Sequence, residues 1–473
     1  MSEAVSPHET DDRFHDECGV VGVWDHPGAV ELVKLGLHAL QHRGQDGAGV
    51  LAWDGETMSA HRGAGLVADV FGRHVSPVQG ARAIGHVRYG TAGGQSLANI
   101  QPLCVAAAGT HIGIAHNGNL VNAPALRAEL AADGAIFQTT SDTELIVHLM
   151  ARSRQKALLN KTVEALGRVS GAWSLLFLTP EHMIAARDPM GFRPLVLGRM
   201  PGGAWVAASE TCALDLLEAT YVRDVEPGEL VIIEDSGITS FFPFPAAPRH
   251  QCVFEHVYFA RPDTKLWGRE VYPARVRLGR RLAKEHPADV DLVIPVPDSG
   301  TSAAIGYASE LGLPFELGLM RNHYVGRSFI QPSQQDRDLK VRMKLNPVKG
   351  LLQGKRVVVV DDSIVRGTTC RKIVRLLKAA GVAEVHLRIA APPTTGPCFY
   401  GIDTPSRDAL IAASKPVDAI GRYVGADSIG YISIEGMHEA VHEGEDGYCD
   451  ACFSGRYPLL PEEAPRPQLG LFD

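Results

Sequence analysis

The chain has 473 residues, of which 45% are hydrophobic and 21% charged, and its formal net charge is −8. This is too long for one ordinary hydrophobic core, so two or three globular domains are expected. No apolar run is long enough to span a bilayer and no basic block stands out, so neither a membrane nor a nucleic acid is expected as a partner.

Taken in chain order, residues 1–17 form an acidic leader that holds Glu3, Glu9, Asp11, Asp12, Asp16 and Glu17. It lacks the basic start and apolar stretch of a secretory signal, so the chain is expected in the cytoplasm, where thiols stay reduced. Cys18 stands at the seam between this leader and the apolar "GVVGVW". A thiol within a chain needs an outside base to become a nucleophile. A thiol on the first residue has its own, an α-amino group that titrates near pH ~8. Removing residues 1–17 would create that arrangement. On spacing alone, a buried structural cysteine is the competing reading.

From Cys18 to about Phe244 the sequence is rich in short β-prone runs: "CGVVGVW", "GAGVLAWD", "RAIGHVRY", "HIGIAHNG", "AWSLLFLT", "MIAARD" and "AWVAASE". Two helices are predicted between them. One carries Val30, Val33, Leu37 and Leu40 on one face. The other runs through Leu145, Ile146 and Leu149, with Ser141 or Thr140 as its cap. This arrangement predicts layered packing rather than a βαβ series. Three prolines in "SFFPFPAAPRH", 240–250, mark a boundary.

Beyond it the pattern changes. "DVDLVIPVPDSG" and "GKRVVVVDDSIVRGTTC" are unbroken apolar strands, each running into a polar turn and then a helix, and "AEVHLRIAAPP" is a further buried strand. Such alternation indicates a parallel α/β sheet. The second strand ends in Asp361 and Asp362, followed by Ser363, Gly367, Thr368 and Thr369. Ligands of open α/β sheets bind beyond the carboxyl ends of the strands, where a helix N-terminus offers N–H groups to a phosphate. Adjacent carboxylates there suit ribose hydroxyls or magnesium, a hard ion that prefers oxygen ligands. Between the two loops, 321–348 carries Arg321, Arg327, Arg337, Lys340, Arg342 and Lys344, either as a solvated face or as a lid. "YCDACF" places Cys449 and Cys452 in a C-x-x-C pair, with Cys252 and Cys398 far away in sequence. By spacing, a four-cysteine zinc site, buried thiols and an iron–sulfur cluster are all open. Cys104, Cys212 and Cys370 are expected to be buried thiols. The end of the chain, "YPLLPEEAPRPQLGLFD", is a tail that is poorly ordered or packs on another surface.

Several motifs resemble known families. "VVVVDDSIVRGTTC" is similar to the phosphoribosylpyrophosphate (PRPP) loop of type I phosphoribosyltransferases. The resemblance implies PRPP binding by Asp361, Asp362, Ser363, Arg366, Gly367, Thr368 and Thr369, with Ser299 of "PVPDSG" joining Asp361 and Asp362 around Mg2+. "CGVVGVW", "LQHRGQDGAG", "GHVRYGTAG", "AHNGNL" and "TSDTE" together resemble the class II glutamine amidotransferase domain, an N-terminal-nucleophile hydrolase. That resemblance implies attack by Cys18 and an oxyanion hole from Asn117 and Gly118. Glutamine would be gripped by Arg88 and Asp142 with Thr91 nearby, in a pocket organised by the Gly44–Asp46 loop. His86 and His116 receive no catalytic role.

From Cys18 to about Gly455 the chain resembles the glutamine PRPP amidotransferase family, in the form with a cleaved propeptide and an iron–sulfur cluster. The fold this implies is an α+β N-terminal-nucleophile domain, a layered αββα sandwich, followed by an α/β phosphoribosyltransferase domain with a mainly parallel sheet. The expected division is a propeptide 1–17, a glutaminase domain 18–245, a phosphoribosyltransferase domain 246–458 and a tail 459–473. The family further implies a [4Fe–4S] cluster on Cys252, Cys398, Cys449 and Cys452, a homotetramer, and inhibition by purine nucleotides. Two alternatives stay open: a different class II amidotransferase, such as one making glucosamine 6-phosphate, and a PRPP-binding regulator with a dead glutaminase domain.

Overall fold

The computed structural model describes residues 18–72, 78–89, 96–107, 110–322, 345–441 and 447–461. The acidic leader, Thr91, most of the basic segment 321–348 and the end of the tail lie outside these residues.

The first half is built on two antiparallel sheets. One has the strand order Thr220–Asp224, Val196–Arg199, Trp205–Ala208, Gly19–Trp24, Arg82–Arg88, Gly47–Trp53, Met58–Ala64. The other runs Gly237–Phe241, Leu230–Glu234, Met183–Arg187, Gly171–Leu178, Thr110–Leu120, Leu103–Ala107. Strand Gly19–Trp24 shows why they stack. Its side chains alternate between faces. Val20 and Trp24 enter the core between the sheets with Leu51, Ile84, Leu176 and Met183. Val21 and Val23 turn the other way, onto Val33 and Leu37 of helix Ala29–Ala39. Outside the second sheet, helices Ala123–Ala132, Thr143–Arg152 and Leu158–Leu166 bring Leu126, Leu145 and Leu166 onto Leu120, Trp173 and Leu175. The result is an αββα sandwich.

The helix content exceeds the two predicted helices. Helices Ala123–Ala132 and Leu158–Leu166, with short turns at Val67–Phe71 and Thr211–Leu216, are added. Helix Ala123–Ala132 buries only Leu126 and Leu130, so its apolar stripe is too thin to stand out in the sequence. The predicted cap of the 143–152 helix also shifts by a residue. Asp142 occupies the N-cap position without capping, and Ser141 Oγ accepts from Thr143 N at 3.3 Å. The Asp142 carboxylate is drawn away to Leu120 N, at 2.9 Å.

After strand Gly237–Phe241 the chain has neither strand nor helix until Gln251–Cys252, which pairs in parallel with Tyr448–Cys449. The second half carries a four-stranded, all-parallel sheet: Leu292–Pro295, Arg356–Asp361, Glu384–Ile389, Ser428–Tyr431. The middle of its second strand, 357–360, is all valine because both faces are covered. Val358 and Val360 pack with Leu278, Tyr307 and Met437 on one side, and Val357 and Val359 with Ile373, Leu377 and Ile420 on the other. The start of the tail packs: Tyr457 and Leu459 lie against Phe399 and Tyr400.

Candidate functional site

Three neighbouring strands and one helix start converge on a pocket lined by Cys18, Arg88, Tyr89, Gln101, His116, Gly118, Ser141 and Asp142. Cys18 stands at the head of strand Gly19–Trp24, with Sγ 3.7 Å from the Tyr89 carbonyl. Arg88 ends the adjoining strand Arg82–Arg88 and is buried. Gly44 explains how it is held. A Cβ on Gly44 would lie 2.7 Å from Arg88 N, so only glycine allows this approach. Asp46 N also donates to the Arg88 carbonyl at 3.0 Å. An arginine and a carboxylate across one small pocket can grip the α-carboxylate and α-ammonium of an amino acid.

Asn117 and Gly118 lie on strand Thr110–Leu120, opposite Ser174 and Trp173 of the next strand. The Asn117 side chain is buried, and neither Nδ2 nor Oδ1 has a hydrogen-bond partner. Leaving a buried amide unpaired costs on the order of 1–3 kcal/mol, a sign that it is kept for a ligand. Gly118 has φ +147°, and a Cβ there would collide with the Ala172 carbonyl oxygen at 2.0 Å.

Of the residues the motifs implied, Cys18, Arg88, Gly118 and Asp142 line one pocket, Asn117 adjoins it, and Thr91 is not among the described residues. Tyr89, Gln101, His116 and Ser141 also line it without having been assigned. Gln101 binds the site together: its Oε1 accepts from His116 N at 2.8 Å and its Nε2 donates to Thr143 Oγ1 at 3.0 Å. Nothing local in the sequence marks it. His116 is locked between Thr143 Oγ1 at 3.0 Å and the Ala172 carbonyl at 3.3 Å. His86 lies beneath, 3.1 Å from the His116 carbonyl, and burial pushes its pKa down to about 3.

The second constellation sits at the carboxyl end of strand Arg356–Asp361. Asp361 and Asp362 are both largely buried. Asp361 Oδ1 accepts from Asp362 N at 3.0 Å and lies 3.5 Å from Ser299 Oγ, so the two predicted loops do meet. Ser363 Oγ donates to Asp362 Oδ2 at 2.6 Å. Gly367, at φ +76°, turns the chain into helix Thr368–Ala379, with Thr368 and Thr369 in its first turn. Arg321 Nη1 pairs with Asp298 of the neighbouring loop at 2.7 Å, and Arg366 lies on the turn itself. Cys370, buried as expected, points its thiol at Asp361 Oδ2 at 3.8 Å.

The third constellation is a cavity lined by Cys252, Cys398, Cys449 and Cys452 with Tyr400, Ile402, Ala451 and Tyr457. Parallel pairing puts Cys252 opposite Cys449. The Cys452 carbonyl accepts from Thr395 N and Gly396 N at 2.9 and 3.1 Å, tying the 395–401 loop to the C-terminal segment. Burial, and then the nearness of Cys398, Cys252 and Cys449, pushes the Cys452 thiol well up. Among the described residues no three His, Cys, Asp or Glu side chains gather closely enough to hold a single metal ion. Of the remaining cysteines, Cys212 is buried as expected, but Cys104, on the edge strand Leu103–Ala107, is exposed.

Residues 89–216 match the glutamine amidotransferase domain, and residues 270–394 match the phosphoribosyl transferase domain. The amidophosphoribosyltransferase of Bacillus subtilis (strain 168) is 50% identical over 451 residues, covering 94% of this chain and 94% of its own. The chloroplastic amidophosphoribosyltransferase of Vigna aconitifolia is 51% identical over 453 residues, covering 96% of this chain and 93% of its own. Among solved structures, the glutamine PRPP amidotransferase of B. subtilis complexed with ADP and GMP aligns with a TM-score of 0.89 at 49% identity, covering 93% of this chain and 97% of that one. The structure of an allosteric regulatory enzyme of purine biosynthesis aligns at 0.90 and 49%, covering 94% and 98%. With nearly full-length identity at this level across both halves, the chain belongs to the amidophosphoribosyltransferase family.

Proposed function

We propose that the chain makes 5-phosphoribosylamine, the first committed step of purine synthesis, through two half-reactions carried by the two halves of the fold. Cys18 Sγ attacks the side-chain amide carbon of glutamine. Its proton passes to the α-amine of the same residue, freed by removal of residues 1–17, and from there to the departing ammonia. The amide of Asn117 and the N–H of Gly118 stabilise the oxyanion, while Arg88 and Asp142, with Thr91, grip the amino-acid end of the substrate. Water then frees glutamate from the thioester. Ammonia travels inside the protein and displaces pyrophosphate from carbon 1 of PRPP.

The PRPP end is assigned to Asp361, Asp362, Ser363, Arg366, Gly367, Thr368 and Thr369. Magnesium arriving with PRPP would be met by Ser299, Asp361 and Asp362 and would stabilise the leaving pyrophosphate. We assign the four cysteines, which share one cavity, to a [4Fe–4S] cluster, for which their thiols are the soft donors. The group would serve as a cross-link holding Cys252, Cys398, Cys449 and Cys452 together. We assign 18–245 to the glutaminase half, 246–458 to the synthase half, 1–17 to a propeptide and 459–473 to a tail. A cytoplasmic homotetramer restrained by purine nucleotides completes the reading, and the ADP and GMP bound to the B. subtilis relative favour the last point.

The observation that carries this reading is the pocket shared by Cys18, Arg88, Gly118 and Asp142. Cys18→Ala is expected to abolish glutamine-dependent synthesis and to spare synthesis from added ammonia. Equal loss of both would refute the division of labour.

A further inference from the structure

The nucleophile in the first half of the fold is held in part from the second half. Arg43 is 1% exposed, and its Nε donates to the carbonyl oxygen of Cys18 at 3.2 Å. Its terminal nitrogens fork onto Glu255, Nη1 to Oε2 at 3.0 Å and Nη2 to Oε1 at 2.7 Å. Nη1 also pairs with Glu210, which in turn lies 2.7 Å from His42. Glu255 is fully buried and opens the π-helical turn Glu255–Phe259. Arg275, from helix Val271–Glu285, pins that turn by donating to the carbonyls of His256 at 2.8 Å and Ala260 at 2.7 Å.

A second arginine meets the same carboxylate. Arg193, also fully buried, has Nη1 3.5 Å from Glu255 Oε1. Its Nε and Nη2 both donate to the Tyr400 carbonyl, at 2.8 and 2.6 Å. Phe192 stacks on the Tyr400 ring with centroids 4.3 Å apart. The next residue, Gly401, lies directly against the oxyanion strand: a Cβ there would stand 3.1 Å from Gly118 Cα. Asn119 Nδ2 donates to the Phe399 carbonyl at 3.0 Å. Glu255 therefore stands between two arms. One ends on the backbone of Cys18, and the other ends on the loop that backs Asn117 and Gly118.

A buried ionic network of this kind adds little net stability over apolar packing of the same volume. What it can supply is fixed geometry, and a nucleophile and an oxyanion hole must be in register to within a fraction of an ångström. We propose that Glu255 is a positioning residue of the glutaminase half-reaction, setting Cys18 against Asn117 and Gly118 through Arg43 and Arg193. This rests on Cys18 being the nucleophile. Glu255 reaches both arms through the two arginines.

The test uses the full chain carrying Glu255→Gln or Arg193→Lys, assayed with glutamine and with ammonia. Ammonia-dependent synthesis reports the folding of the second half in the same preparation. Glu255→Gln is expected to lower glutamine-dependent kcat about tenfold or more, to leave glutamine KM within about threefold and ammonia-dependent kcat within about twofold. Arg193→Lys keeps the charge but loses the fork onto Tyr400, and is expected to give the same split with a smaller loss. It decides alone if Glu255→Gln does not accumulate as folded protein. Unchanged glutamine-dependent kcat, or a parallel fall in both activities, overturns the proposal. Cys18→Ala run alongside separates the two levels: if it retains glutamine-dependent activity the nucleophile itself is misassigned, whereas if it loses that activity while Glu255→Gln is unaffected, only the positioning role falls.

Discussion

Asn117 is a buried amide with nothing to bond to, in a sandwich where most buried polar atoms are paired. In the proposed half-reaction it is the donor for the oxyanion. Asn117→Ala is then expected to lower glutamine-dependent kcat by about 100-fold, the usual effect of losing one such donor. Its thermal midpoint should stay close to that of the parent, because no native hydrogen bond is lost. Steady-state kinetics beside a thermal melt check both; a large fall in midpoint with intact kcat would mean that the amide is structural. At this scale the site was largely legible. Cys18, Arg88, Asn117, Gly118 and Asp142 each stand in a short motif whose chemistry names them. Arg43 stands in "LQHRGQDGAG" without a role that its chemistry names, and Glu255 has none either, although the two touch. They are 212 residues apart, and "LQHRG" and "FEHVYF" carry no sign of each other. A long-range buried ion pair has no local spacing to read.

Among the elements, the strand Arg356–Asp361 and the helix Thr368–Ala379 form one device. The strand ends in two carboxylates at the carboxyl end of the sheet, and Gly367 then turns the chain into the helix. If Asp361 and Asp362 hold PRPP and its magnesium, Asp361→Asn impairs PRPP use whichever nitrogen donor is supplied. The loss should be about tenfold or more in kcat/KM for PRPP, since a charge-assisted contact is removed. An unchanged PRPP dependence in the ammonia assay would sink the assignment. This strand was readable because burial on both faces makes 357–360 an unbroken valine run. Helix Ala123–Ala132, which buries one thin stripe, was not. Cys104 was missed because a residue's type does not say that it falls on the outermost strand of a sheet, where this thiol is exposed.

Across the whole molecule, the two halves are joined by buried polar contacts as well as by packing, and burial leaves marks on titration. His86, with its pKa lowered to about 3 by burial, stays neutral in the fold where the unfolded chain would take up a proton near pH 6.5. Its contribution to stability is present above pH 6.5 and is lost as pH falls toward 3, by up to about 1.4 kcal/mol per pH unit. Asp188 works the other way. Burial raises its pKa to about 6, so its part of the stability is full below its ordinary value and is lost as pH rises through 6. Melts at pH 6.5 and pH 5 should show a smaller drop in midpoint for His86→Gln than for the parent. An equal or larger drop would place the acid sensitivity elsewhere. The claim on which the rest depends concerns the junction at Cys18, whose thiol needs the amine of its own residue. It is tested most directly by N-terminal sequencing and intact mass of the purified enzyme, measured on the same sample as its glutamine-dependent activity. The active species is expected to begin at Cys18; full activity in protein still carrying Met1 through Glu17 would overturn the role of its α-amine.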